Sequence, residues 1–145
     1  MNRLAAIVLP LLSMLLPGLL YAEQSAVRVE VTVIHASNDG DEVDPRLEDL
    51  KRQLSSFDFS AFRLLDTHVR TLALAETGEF SLPGDRLLTI TPRSRDQEGR
   101  LRVHLSIGGV IDTTYTIAEG ASLIVGGPRH DGGHLILAVN QTSAR

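Results

Sequence analysis

The sequence predicts an α+β fold that is mainly β: an antiparallel sheet or sandwich of about eight strands, with one short helix packed on a face. Three observations carry this. Short segments with an apolar residue at every second position recur along the chain, and glycine, proline and aspartate separate them. Residues 44–54 alone combine a capping residue with apolar positions at helical spacing. A second helical crossover, which a parallel sheet would need, is missing from the pattern.

Taken in order, Met1-Asn2-Arg3 is a short basic start, and residues 4–20 are almost wholly apolar, broken by Pro10, Ser13 and Pro17-Gly18. Ala22 then supplies a small residue before the polar Glu23-Gln24-Ser25. That is the pattern of a secretory signal peptide over residues 1–22, with a cut between Ala22 and Glu23. The run is short for a membrane span, and its prolines interrupt it. The expected exported domain is residues 23–145, periplasmic or extracellular once the leader is removed. No second hydrophobic run follows, so this domain is not expected to span a membrane.

Val27, Val29, Val31 and Val33 alternate with Arg28, Glu30 and Thr32, which is the pattern of a half-buried strand. His35 continues the valine face and Ile34 falls on the polar one, so the alternation loosens there. Asp44 suits an N-cap and Pro45 the first helical position. Leu47, Leu50 and Leu54 then form one narrow stripe on a surface helix of about ten residues. Phe57, Phe59 and Phe62 lie in a short connection. Residues 62–75 hold two strand-like pieces, around 63–65 and 69–75, parted by Asp66-Thr67. Thr77-Gly78-Glu79 reads as a turn across which residues 80–82 pair back. Pro83-Gly84-Asp85 is a strong turn. Residues 86–91 form a strand with Leu88 and Ile90 on one face, and residues 93–99 a charged loop. Leu101, Val103, Leu105 and Ile107 face inward; Gly108-Gly109 signals a hairpin, and residues 110–117 return. Residues 122–125 and 135–139 are short strands around a glycine-rich loop, residues 126–134, and the tail from Gln141 is expected to fray.

Composition limits the function. The chain has 145 residues and no cysteine. This removes disulfides, thiolate metal sites and cysteine nucleophiles. A small exported domain without disulfides must rely on its apolar core, and a chain of about 120 residues can bury roughly two thirds of its unfolded surface. The whole chain carries a net charge of −4, with its leader contributing one arginine and no acid. An acidic domain is a poor match for nucleic acid, whose phosphates demand a basic surface.

Two segments are candidate sites. In residues 38–44, Asp39, Asp41 and Glu42 offer oxygens of the kind Ca²⁺ takes, although the spacing of a helix–loop–helix calcium site is absent. The competing reading is an acidic connection whose carboxylates complement the helix dipole. In residues 126–134, His130, Asp131 and His134 supply the ligands of a three-ligand zinc site; His35 or His104 could add one, but nothing in the sequence brings them near. The competing reading is a glycine-rich hairpin with solvated polar residues. Arg129 among glycines would suit an anion, but no lysine and no following helix complete a phosphate loop. There is no Gly-x-Ser-x-Gly elbow, and no nucleophile can be paired with a base.

Residues 35–54 (HASNDGDEVDPRLEDLKRQL), 80–92 (FSLPGDRLLTITP) and 123–139 (LIVGGPRHDGGHLILAV), together with the leader, resemble a group of small exported bacterial proteins, myxobacteria-like, of unassigned function. The resemblance implies an envelope protein and brings no catalytic residues and no cofactor with it. The expectation is therefore an exported, non-enzymatic β domain that binds or scaffolds another cell-envelope component. A metal-binding module or metal-dependent hydrolase using residues 126–134 is the alternative.

Overall fold

The β-branched valines of the first segment hold the backbone extended and give it one apolar face. In the structure, a computed structural model that describes residues 26–144, they open β1 (Val27–Ser37). Seven strands follow: β2 (Ala61–Leu72), β3 (Gly78–Leu82), β4 (Arg86–Arg95), β5 (Leu101–Ile107), β6 (Ile111–Ile117), β7 (Ser122–His130) and β8 (Gly133–Ser143). They form two four-stranded antiparallel sheets, ordered β2-β1-β8-β7 and β3-β4-β5-β6. The fold is thus a β-sandwich with a short helical segment on one outer face, as the pattern predicts. The expected leader, residues 1–22, and its cut lie outside the described residues. Among those described, no helix is long and apolar enough to cross a membrane.

The main core lies between the sheets. Val29, Val31, Leu88, Ile90, Val103, Leu105 and Leu137 are each at most 1% exposed. Each such side chain contributes about 1.5–3 kcal/mol by leaving water. A second apolar cluster lies on the opposite side of the first sheet, where Ile34, Ala36, Ile136 and Ala138 pack with Leu47, Leu54 and Phe62. Its cover is a 3₁₀ helix, Pro45–Leu50, running into one α turn, α1 (Lys51–Leu54). Asp44 starts it as predicted: its Oδ1 accepts the Arg46 N–H at 3.0 Å. Ile34 therefore does not mark a loosening of β1. It keeps strict alternation and faces this second cluster.

Several expectations need correction. The two pieces expected in residues 62–75 are one strand, β2. An unpaired Leu65 makes a bulge there, because Val33 pairs Asp66 while Ile34 pairs Leu64. That extra residue reverses the faces of β2 and breaks the sequence pattern. Residues 80–82 do not pair back across Thr77-Gly78-Glu79. Gly78 starts β3, which pairs forward with β4 across Pro83-Gly84-Asp85. The chain changes sheet between β2 and β3. Arg93, Ser94 and Arg95 belong to β4, whose register shifts beside Pro92, a residue that cannot donate to a ladder. The turn after β5 has three residues, 108–110, closed by Val110 N–H to Ile107 O at 3.0 Å.

The tail does not fray at Gln141. That side chain is 0% exposed. Its Nε2 donates to Ile117 O at 3.0 Å and Gly99 O at 3.2 Å, and its Oε1 accepts from Arg95 Nη2 at 2.9 Å. Arg95 Nη1 donates to Gly99 O at 2.7 Å. This network ties the β4–β5 loop and the end of β6 to the last strand. Buried polar groups are costly when they lose a partner, so Gln141→Ala should destabilise the fold by about 1–3 kcal/mol. Urea unfolding checks this, with an unchanged denaturant slope showing that the native state is preserved.

Candidate functional site

Backbone direction alternates along a strand, so the register states which groups of an edge strand are free. Ala26 O accepts from Ala144 N and Ser37 O accepts from Ser60 N. The even residues of β1 therefore address β8 and its odd residues address β2. By the pairings of β1 with β2, the backbone groups of Asp66, His68 and Arg70 turn toward β1, and those of Thr67, Val69 and Thr71 turn away from it. The start of β2 is closed off. Phe62 N–H donates to Glu42 O and Phe62 O accepts from Asp44 N, both at 2.9 Å. Beyond the bulge, none of the described strands covers the edge. There the Thr67 N–H donates to the neighbouring Asp66 Oδ1, at 2.8 Å.

The side chains around this edge are mixed. Thr67, Val69 and Thr71 stand on the outer face, and Val69 is 46% exposed. On the inner face the Asp66 carboxylate lies 3.2 Å from His68 Nε2. The Arg70 guanidinium sits 5.5 Å from the centroid of Phe80, and the His68 ring meets the same phenylalanine edge-on at 6.2 Å. The other edges differ from this one. Gln53 Nε2 donates to Ser122 O at 3.1 Å on the outer side of β7, and the register of β7 shifts between Gly126 and Arg129. β3 has only 5 residues. β6 is as uncovered as β2 among the described residues, but the groups framing its edge, Asp112, Thr114 and Thr116, are all polar and offer no apolar contact like Val69.

At one end of the sandwich, the two segments singled out in the sequence come together. His35, Asp39, Glu42, Asp44, Arg63 and Asp131 are among the residues lining an open hollow of about 1000 Å³. A smaller one of about 510 Å³ lies between Asn38, Phe59 and residues 129–134. The β3–β4 turn arrives from the other sheet: a Cβ on Gly84 would stand 3.5 Å from His130 Nδ1. Asp39, Asp41 and Glu42 are exposed in the connection that rims the larger hollow, and Asp41 is not among the residues lining it.

The glycine-rich loop is in fact the end of a hairpin. Arg129 pairs His134 and His130 pairs Gly133, so only Asp131-Gly132 turns. Both have positive φ, 47° and 75°, as a tight hairpin turn of two residues requires. This register separates the candidate ligands. His130 lies on the face of His35, whose Nε2 donates to the His130 carbonyl at 3.0 Å. His134 lies on the other face, with its ring 5.4 Å from Phe59 and its Nδ1 buried without a partner. Spacing i, i+4 would join two histidines on a helix; across a two-residue turn it places them on opposite faces. Among the described residues no group of three or more His, Asp or Glu is arranged to hold a metal ion.

One arrangement was hidden in the sequence. His104 Nε2 lies 2.7 Å from Asp112 Oδ1, and its Nδ1 lies 3.2 Å from Thr114 Oγ1. The strand pairing of β5 with β6 creates it, so no local motif could have announced it. It sits on the outer face of the second sheet and lines neither hollow.

Asp44 joins the helix cap to the rim of the larger hollow. Its carboxylate is held well below the ordinary value of 3.8, first by the side-chain hydrogen bond from Arg46 and then by the Arg46 backbone N–H, with the Leu64 N–H adding to them. A depressed carboxylate contributes stability that is complete above its unfolded value and is lost as pH falls through the folded one. The stability gap between wild type and Asp44→Asn should therefore be full at neutral pH and shrink below about pH 4. Unfolding midpoints measured from pH 7 to pH 2 check this; a gap independent of pH would remove the charge from the account. No protein-family model, no curated protein and no solved structure matches this chain.

Proposed function

We propose that the chain is an exported, non-enzymatic β domain that binds or scaffolds another cell-envelope component, periplasmic or extracellular, by strand addition at the edge of β2. The observation that carries this reading is the run of outward backbone groups at Thr67, Val69 and Thr71, beside an exposed valine. A partner in extended conformation gains main-chain hydrogen bonds there, and alternate side chains meet the exposed face. The export part of the reading rests on the basic start, the apolar run and the small residue at Ala22.

Val69→Pro tests the edge selectively. The Val69 N–H points away from β1, so proline removes a donor that only an added strand would use, and proline is tolerated on strand edges. Circular dichroism should show a folded protein. In cross-linked envelope fractions, a partner recovered by the wild-type chain should be lost by the variant. Equal recovery by both would rule out the β2 edge.

A further inference from the structure

We propose that the β2 edge is occupied by the β2 edge of a second copy of this chain, antiparallel, with His68 facing His68 across the two-fold axis. The proposal rests on the strand-addition reading above and names its partner.

Symmetric antiparallel pairing keeps the inner faces of both sheets on the same side only if a residue pairs one whose number differs from its own by an even count. The outward backbone groups must also meet outward groups. Five centres on the open run meet these conditions, the residues from Thr67 to Thr71; a centre at Arg70 sets two arginines against each other, and one at Thr71 leaves Arg70 opposite Leu72. A centre at Val69 sets His68 against Arg70 of the other copy and leaves Asp66 opposite Leu72. A centre at Thr67 sets Asp66 against His68 and leaves Arg70 opposite Leu64. A centre at His68 sets Asp66 against Arg70 twice, once on each side of the axis. The same centre pairs Thr67 with Val69 twice, and all four of these residues present outward backbone groups.

Cross-strand pairs of opposite charge stabilise a sheet and like charges directly opposite destabilise it. Register is therefore selected by Asp66 and Arg70. In the single chain the Asp66 carboxylate already holds the Thr67 N–H and lies against His68. On assembly that N–H passes to a carbonyl of the second copy, and the carboxylate turns to its arginine. The assembly is one continuous sheet of eight strands. The loop-lined ends of the two copies then stand at opposite ends of the assembly, because antiparallel strands run in opposite directions.

The chain contains no cysteine, which supplies a direct test. At a pair outside the hydrogen-bonded rungs the Cα atoms stand about 4.5 Å apart, within the span of a disulfide. The full-length chain is expressed and processed by its host, and His68→Cys and Thr71→Cys are oxidised in parallel. His68→Cys should give a disulfide-linked dimer on a non-reducing gel; Thr71→Cys, displaced from the axis, should stay monomeric. No dimer from His68→Cys, or equal cross-linking of both, would overturn the proposal.

Sedimentation equilibrium supplies the second measurement. The wild type should associate with rising concentration, Asp66→Arg and Arg70→Asp should each lose association, and the double exchange should regain it. A wild type that stays monomeric, single variants that still associate, or a folded double variant that does not, each contradict the proposed register. The strand-addition reading is judged separately. If the wild type is monomeric while Val69→Pro still loses an envelope partner, self-pairing falls and strand addition stands.

Discussion

The structure depends on two interior strands that are buried on both faces. In β1, Val33 and Ile34 are neighbours in sequence and both are 0% exposed. In β8, Leu135, Ile136 and Leu137 are each at most 1% exposed. Consecutive side chains on a strand point to opposite sides. One sheet packed on another would cover only half of these residues, so the first sheet needs a second cover. The connection between β1 and β2 supplies it through Leu47, Leu54 and Phe62. The same constraint explains Gly133. A Cβ there would run into the carbonyl oxygen of Ala36, so glycine lets the β7–β8 hairpin close against β1.

Burial on two faces also explains the bulge at Leu65. Phe62 and Leu64 face the outer cluster beneath the helix. Without an extra residue, Leu72 would share their face. The bulge reverses the phase, so Leu72 enters the main core beside Val27, while Asp66, His68 and Arg70 follow it to the inner side. One inserted residue thus serves the second cluster at one end of β2 and the first at the other. It also decides which side chains frame the open edge.

Local patterns were legible where a single local cause sufficed. The valines of β1, the alternation in β5 and the Asp44-Pro45 start each state their structure within a few residues. The phase break at Asp66-Thr67 was visible too, and it read as a gap between strands because a bulge and a gap interrupt alternation alike. Other features are set by distant contacts. Nothing near Gln141 announces that Arg95, Gly99 and Ile117 will surround it. The glycines of residues 126–133 suggested a loop, although glycine is needed there for close approach and for one tight turn. Residues 39–42 and Asp131 each stand out locally, but their meeting at one end of the sandwich follows from sheet order.

An exposed edge threatens a β domain with indiscriminate pairing, and this chain, without disulfides, has no covalent restraint against it. Its edges are guarded in different ways: β3 by shortness, β7 by Gln53 and an irregular register, β6 by polar side chains. β2 carries inward-pointing charges, which would penalise an arbitrary strand laid beside it. Yet Asp66 and Arg70 are opposite in sign and four residues apart, with backbone groups available between them. A guard made of like charges would repel every copy of itself. A guard made of one acid and one base leaves a charge without its complement in other registers and matches both in one, so protection and recognition rest on the same two side chains.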